Sequence, residues 1–263
     1  MHSRRIVHTS RTRTTQPTKL AKASALVSGD CMETEIGSNI NVIKKRIDKA
    51  AQRAGRDPLA IKLMAVTKTV EPERISKAIE AGLSMLGENY VQEAKDKIAI
   101  IGDAAQWHMI GHLQTNKAKY AVKLFDYVHS VDRLELAQEL DKRSGQINRK
   151  LNVLIEVNSG EQSKSGIEKT QALELVRQVA VLPNLVVRGL MTMAPYSDNP
   201  ENSRPYFKAL RELRDDIRRS GIARISMDEL SMGMTDDFEV AIEEGATIIR
   251  IGRAIFGKRQ SRV

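Results

Sequence analysis

The chain has 263 residues, 41% of them hydrophobic and 29% charged, with a formal net charge of +9. That composition excludes wholesale disorder, and no apolar run approaches the ~20 residues that cross a bilayer. A single cysteine, Cys31, excludes a disulfide framework and a cysteine-built metal cage.

The positive charge is unevenly placed. Arg4, Arg5, Arg11, Arg13, Lys19 and Lys22 face only Asp30 within residues 1–31, a balance of +5, which leaves +4 for the remainder. That remainder is spread along mixed-charge stretches such as Arg211–Arg219, which read as solvated helix faces. With aromatics at 4%, little is available to stack on bases, so no nucleic-acid partner is expected. Residues 1–35 read as a basic, Ser/Thr-rich N-terminal extension without hydrophobic periodicity. It has the composition of either a disordered tail or a transit peptide, and Met32 stands as a natural start.

From Ser38 the pattern becomes regular. Ser38 is placed to cap a helix through Ile40, Val42, Ile43 and Ile47 to about Ala54, and Gly55, Asp57 and Pro58 stop it. An apolar run over 61–67 follows, then Glu71-Pro72-Glu73, a helix start with proline in the first turn and acids at the positive end of the dipole. The unit recurs. Strands are expected at 61–67, 84–87, 107–111, 127–131, 152–157, 186–190, 229–232 and 247–251. Helices are expected near 72–81, 90–101, 115–124, 133–146, 169–181, 203–220 and 236–244. Strict alternation implies a parallel sheet with right-handed crossovers. Eight strands in about 230 residues match a single (β/α)8 TIM-type barrel over residues 36–260. A doubly wound open sheet is the competitor, but no G-x-G-x-x-G follows the first strand.

In such a barrel the chemistry sits at the C-terminal strand ends. Lys68 follows strand one, Glu88 and Asn89 strand two, and His112 strand three. Glu156 and Asn158 end strand five, and Met191 and Thr192 strand six. Ser231, Gly233 and Thr235 follow strand seven; Arg250, Gly252 and Arg253 follow strand eight. Two readings stay open for Lys68: an amine made nucleophilic by partial desolvation, or a strand-end lysine that reaches solvent. The segments Ser231-Met232-Gly233-Met234-Thr235 and Arg250-Ile251-Gly252-Arg253-Ala254 stand where barrels of this type frequently bind phosphate. Their glycines fit that role, or merely make tight βα turns. His112 is either an acid–base group or a satisfied strand-end histidine, and His108 is assigned to the strand itself. Gly252, Gly257 and Lys258 imitate a P-loop, but Arg259 stands where the magnesium-binding hydroxyl belongs, so that motif is rejected. No zinc-ligand spacing occurs.

A lysine from strand one, a phosphate cradle after strands seven and eight, and an adjacent arginine describe a pyridoxal phosphate site. The motifs Ala65-Val66-Thr67-Lys68, Gly87-Glu88-Asn89-Tyr90, Trp107-His108-Met109-Ile110-Gly111-His112-Leu113-Gln114, Gly189-Leu190-Met191-Thr192-Met193, Leu230-Ser231-Met232-Gly233-Met234 and Arg250-Ile251-Gly252-Arg253-Ala254-Ile255-Phe256-Gly257 carry a closer likeness. Over residues 36–258 the chain resembles the pyridoxal phosphate homeostasis proteins, relatives of the N-terminal barrel domain of alanine racemase. The resemblance implies that Lys68 forms the aldimine with pyridoxal 5′-phosphate. It implies that Ser231 and the backbone of Gly233, Gly252 and Arg253 hold the phosphate, that Arg250 faces the pyridine nitrogen, and that Asn89 and Met191 line the ring. Many members have threonine where this chain has Arg253, which matters only if a hydroxyl contact is needed.

Racemases of the resembled type take a second base from a β domain after the barrel. This sequence ends 13 residues after Arg250, so that base is expected to be missing and efficient racemisation is not expected. The leading expectation is therefore a cytoplasmic, monomeric holder of the cofactor that supplies apo-enzymes. It carries no catalytic residue, metal or membrane contact. Organelle targeting by residues 1–31 is the other location. A weak or narrow amino-acid racemase, with His112 or a group the sequence does not reveal as second base, is the alternative. A cofactor-free aldolase using Lys68 is a third reading.

Overall fold

The computed structural model describes residues 35–160 and 165–257. The expectations placed on residues 1–34 therefore lie outside the described residues. The chain alternates α1 (Glu35–Arg53), β1 (Lys62–Val66), α2 (Pro72–Glu80), β2 (Met85–Glu88), α3 (Val91–Ile101), β3 (Gln106–Met109), α4 (Ala118–Leu124), β4 (Tyr127–Val131), α5 (Leu134–Gln146), β5 (Leu151–Glu156), α6 (Lys169–Ala180), β6 (Leu185–Met191), α7 (Arg204–Arg219), β7 (Ile225–Ser231), α8 (Phe238–Glu243), β8 (Ile248–Ile251) and α9 (Arg253–Phe256). The strands close in chain order, β8 pairing back onto β1, and every pairing is parallel. This is the expected (β/α)8 barrel.

Several element ends differ from the sequence expectation: β7 begins at Ile225 rather than 229, and α4 at Ala118 rather than 115. Ser38 does not cap α1, which begins three residues earlier and leaves Ser38 exposed on its outer face. Ile36 and Gly37 are buried there, so burial extends the helix backward past the residue with the best cap chemistry. The helix expected from 236 begins at Phe238 instead. Asp237 accepts from the Met234 N–H at 2.6 Å and turns the chain into it. The short α9 after β8 was not expected at all.

Two layers fill the barrel. The larger core lies between strands and helices, and draws Ile40, Ile43 and Ile47 from the apolar stripe of α1, Phe125, Phe207 from α7 and Phe238 from α8. A smaller cluster of Met64, Met85, Ile110 and Ile248 packs separately, with Val66 against it. Gly87 makes room for it: a Cβ there would stand 2.7 Å from Met64 Sδ and 2.9 Å from Ile110 Cδ1. Polar groups occupy other strand positions. Lys62 Nζ meets Glu229 Oε1 at 2.8 Å, and Arg188 donates from Nε to Asn152 Oδ1 at 2.8 Å. The mixed-charge segment 203–220 ties α7 to α8, since Arg204 pairs with Glu243 and Glu244, and Arg211 with Glu244. Such rim pairs each contribute about 0–1 kcal/mol. Among the described residues, no helix is long and apolar enough to cross a membrane.

Candidate functional site

Lys68 stands two residues beyond β1 and is half-buried. Its two neighbours are tied into one buried ion network. Thr67 is fully buried; its Oγ1 donates to Glu88 Oε1 at 2.6 Å, and its carbonyl accepts from Lys97 Nζ at 2.5 Å. Lys97 also bonds Glu88 Oε1 at 2.8 Å and Glu93 Oε1 at 2.7 Å, so its three ammonium protons have three acceptors. On the other side, Thr69 adopts the left-handed region at φ 61° and donates its N–H to Glu93 Oε1 at 2.5 Å. A non-glycine residue in that region is held by its surroundings. The turn that presents Lys68 is thus clamped from both flanks. Burial raises the Glu88 carboxyl above its ordinary value, with Lys97 opposing.

Across the barrel seam, β8 pairs with β1, Met64 with Arg250 and Ala65 with Ile251. Arg250 is buried. It donates from one terminal nitrogen to Ser231 Oγ at 2.8 Å and from the other to the Thr192 carbonyl at 2.9 Å. Burial lowers its pKa to about 10, opposed by Asp237 and Glu156, so it stays charged at neutral pH. Gly252 and Arg253 open the short α9, in which Ile255 and Phe256 donate to the Gly252 carbonyl. The N–H groups of Gly252, Arg253 and Ala254 precede that first bonded turn and donate to no group among the described residues. The Arg253 side chain turns outward to Asp236 at 2.5 Å, so only its backbone faces this turn. Gly233, after β7, has φ 90°, and a Cβ would stand 2.5 Å from Ala241 Cβ. Only glycine satisfies both the conformation and the space.

The register sets the remaining groups in place. Glu156, Met191 and Ser231 are level across β5, β6 and β7, and all three are buried. Asn89 leaves β2 where Lys68 leaves β1, since Val66 pairs with Gly87. It is half-buried, and lines a cavity of about 620 Å³ with Met109, Gly111, His112 and Gln114. Burial pushes the Glu156 carboxyl up to about 7, with Asp132 raising it further and Arg250 opposing. Its Oε2 has no hydrogen-bond partner among the described residues. His112 is half exposed, 3.8 Å from Asp132 and 3.3 Å from Ser165 Oγ.

Every residue expected at the site therefore ends a strand, or begins the turn after it, at one end of the barrel. The Lys97–Glu88–Glu93 network escaped the sequence, because a lysine inside an amphipathic helix reads as exposed. His129 escaped as well. A lone strand histidine has no signature, although its alternation with Tyr127 and Val131 placed it on one sheet face.

Comparison with known proteins identifies the barrel and its family. The family model for the alanine racemase N-terminal domain matches residues 38–260, which defines the class of barrel. An alanine racemase from Corynebacterium glutamicum shares that fold at 16% identity and a TM-score of 0.66, over 87% of this chain and 62% of its own. The pyridoxal phosphate homeostasis protein of Aquifex aeolicus is 49% identical over 220 residues, 83% of this chain and 96% of that one. PipY of Synechococcus elongatus, in a structure with pyridoxal phosphate bound, is 32% identical over 85% of this chain and all of its own, with a TM-score of 0.75. The chain belongs to the pyridoxal phosphate homeostasis protein family.

Proposed function

We propose that this protein binds pyridoxal 5′-phosphate at the C-terminal mouth of the barrel, attached through the Lys68 amine, and serves in homeostasis of that cofactor. One observation carries the reading: the clamped turn that presents Lys68 after β1 stands beside the turn after the adjacent β8, where three backbone N–H groups have no acceptor among the described residues.

The residues fit the group. A phosphate ester needs converging donors, and the unengaged N–H groups of Gly252, Arg253 and Ala254 supply them beside the tight turn at Gly233. When bound, the cofactor supplies an aldehyde that condenses reversibly with a primary amine, releasing water, and an electron-withdrawing ring. Lys68 supplies the amine. Asn89 and Met191 would line the ring. Arg250 would donate toward the ring nitrogen, but a guanidinium has no acceptor, so it could not hold a proton there. Electron withdrawal is then weak, which suits holding the cofactor better than catalysis with it. An attachment that a second amine displaces also suits transfer to apo-enzymes. The name of the Aquifex relative supports the role in homeostasis, and the Synechococcus structure with pyridoxal phosphate bound supports binding of the cofactor.

A narrow amino-acid racemase is the second reading, and Glu156 favours it. A buried carboxyl near pKa 7 at the strand ends has the proton affinity of an acid–base group. Titration with pyridoxal phosphate, followed by absorbance, tests the first reading: a new visible band in the wild type, absent in Lys68→Ala. Incubation of the loaded protein with enantiopure alanine separates the two, an unchanged enantiomer favouring the holder.

A further inference from the structure

A chain of buried side chains runs through the barrel to Ser231. His108 Nδ1 lies 2.9 Å from His129 Nε2, and His129 Nδ1 lies 3.0 Å from Ser231 Oγ, the oxygen that also accepts from Arg250. His108, His129 and Ser231 have no exposed surface. At the far end, His108 Nε2 has no hydrogen-bond partner among the described residues. Burial, together with the Lys62 charge, lowers His108 to about 3. Burial, His108, Arg250 and Lys62 lower His129 well below the usual histidine value. Both rings are neutral at physiological pH.

A neutral imidazole carries one N–H, so the chain has two arrangements. In the first, His108 donates from Nδ1 to His129 Nε2, and His129 donates from Nδ1 to Ser231. Left over are a lone pair on His108 Nε2 and the Ser231 hydroxyl proton, which has no acceptor among the described residues. In the second, every proton moves one place. Ser231 donates to His129 Nδ1, His129 donates from Nε2, and His108 is left with a buried N–H that has no acceptor. Each arrangement leaves one donor over. A phosphate at the β7–β8 mouth would accept from Ser231 in the first, but in the second it leaves the His108 N–H orphaned. Orphaned N–H groups are rare in native interiors, so a bound phosphate favours the first arrangement. Ser231 Oγ then accepts twice, from His129 and from Arg250, which fills both its lone pairs, and its single proton is left for the phosphate.

We propose that His129, oriented by His108, is a positioning residue that leaves the Ser231 hydroxyl proton free to donate to a phosphate monoester at the β7–β8 mouth. The inference rests on the phosphate site proposed above, and inorganic phosphate tests it without pyridoxal phosphate. Long-range proton–nitrogen correlation NMR on the labelled protein saturated with inorganic phosphate reads the tautomer directly. The expected result is a protonated Nδ1 and a bare Nε2 on His129; a protonated Nε2 would overturn the proposal. Binding supplies the second test. His129→Leu removes the donor, whereas His129→Asn places an amide nitrogen close to the Nδ1 position. The leucine variant should bind pyridoxal phosphate about three- to tenfold more weakly, the scale of one hydrogen bond, with asparagine largely restoring it. Affinity for pyridoxal, which lacks the phosphate, should not move. Equal losses for both ligands would mean a merely structural role and would overturn the proposal. If the wild type takes up no pyridoxal phosphate, the function proposed above fails, while the tautomer and a titration of these variants with inorganic phosphate still decide this inference. A leucine variant that does not fold leaves the NMR reading of the wild type to decide it.

Discussion

Lys97→Met is the most informative perturbation of the turn that presents Lys68. It keeps the length of the side chain and removes the ammonium that serves Thr67, Glu88 and Glu93. Glu93 is partly exposed and regains water. Glu88 has no exposed surface, and its Oε2 is already without a partner among the described residues. Removing one member of a buried ion pair costs about 3–5 kcal/mol. For a barrel of this size that lowers the melting temperature by roughly 6–20 °C. The effect depends on pH with a definite sign. The Glu88 carboxyl is raised in the folded state, so its contribution is fully present below its unfolded value and is lost as pH rises through the folded one. Losing Lys97 raises it further. The variant should therefore suffer most at pH 8 and recover toward pH 5, and Glu88→Gln in the same chain should restore much of the loss. Circular dichroism melts at pH 5, 6.5 and 8 measure this. A drop below 2 °C at pH 8, or one that ignores pH, refutes the argument that Lys97 clamps the turn through Glu88.

Three further outcomes are expected. Glu156→Gln should leave stability near pH 4.5 unchanged and raise it above pH 7 by up to about 3 kcal/mol, because a carboxyl raised to about 7 loses its stabilising protonation as pH climbs; denaturant titrations at pH 5 and 8 check it. Gly233→Ala should weaken phosphate-dependent binding and destabilise the chain by about 1–3 kcal/mol, since the Cβ meets Ala241 at a φ that only glycine adopts easily; calorimetry with pyridoxal phosphate and pyridoxal separates the two effects. Arg250→Lys should bind the cofactor more weakly than wild type, because one ammonium cannot span Ser231 Oγ and the Thr192 carbonyl and still offer a donor to the ring; its absorbance titration should shift to higher ligand concentration.

The barrel was legible because βα alternation and punctuation by glycine and proline are local signals. All eight strands and the long helices overlap the stretches that apolar runs and glycine or proline breaks mark, and Tyr127–Val131 matches residue for residue. Ends set by tertiary contact were not legible. The start of α1 depends on burying Ile36, and α9 on the turn at Gly252. The candidate site was legible in its strand-end residues, since topology alone sends Lys68, Asn89, Ser231 and Arg250 to one face. What supports them was hidden. Lys97 and His129 act through partners 30 and 102 residues away in sequence, Thr67 and Ser231. No spacing rule connects residues that meet only when the barrel closes. For Arg253 the resemblance implied a contact through the backbone alone, and the structure sends its side chain to Asp236.

The central claim is that Lys68 carries the cofactor. Reduction of the pyridoxal phosphate-loaded protein with borohydride, followed by peptide mapping, tests it most directly. The account predicts one stoichiometric adduct on the peptide containing Lys68, absent from Lys68→Ala. An adduct on another lysine, or none in a protein that shows the visible band, would contradict it.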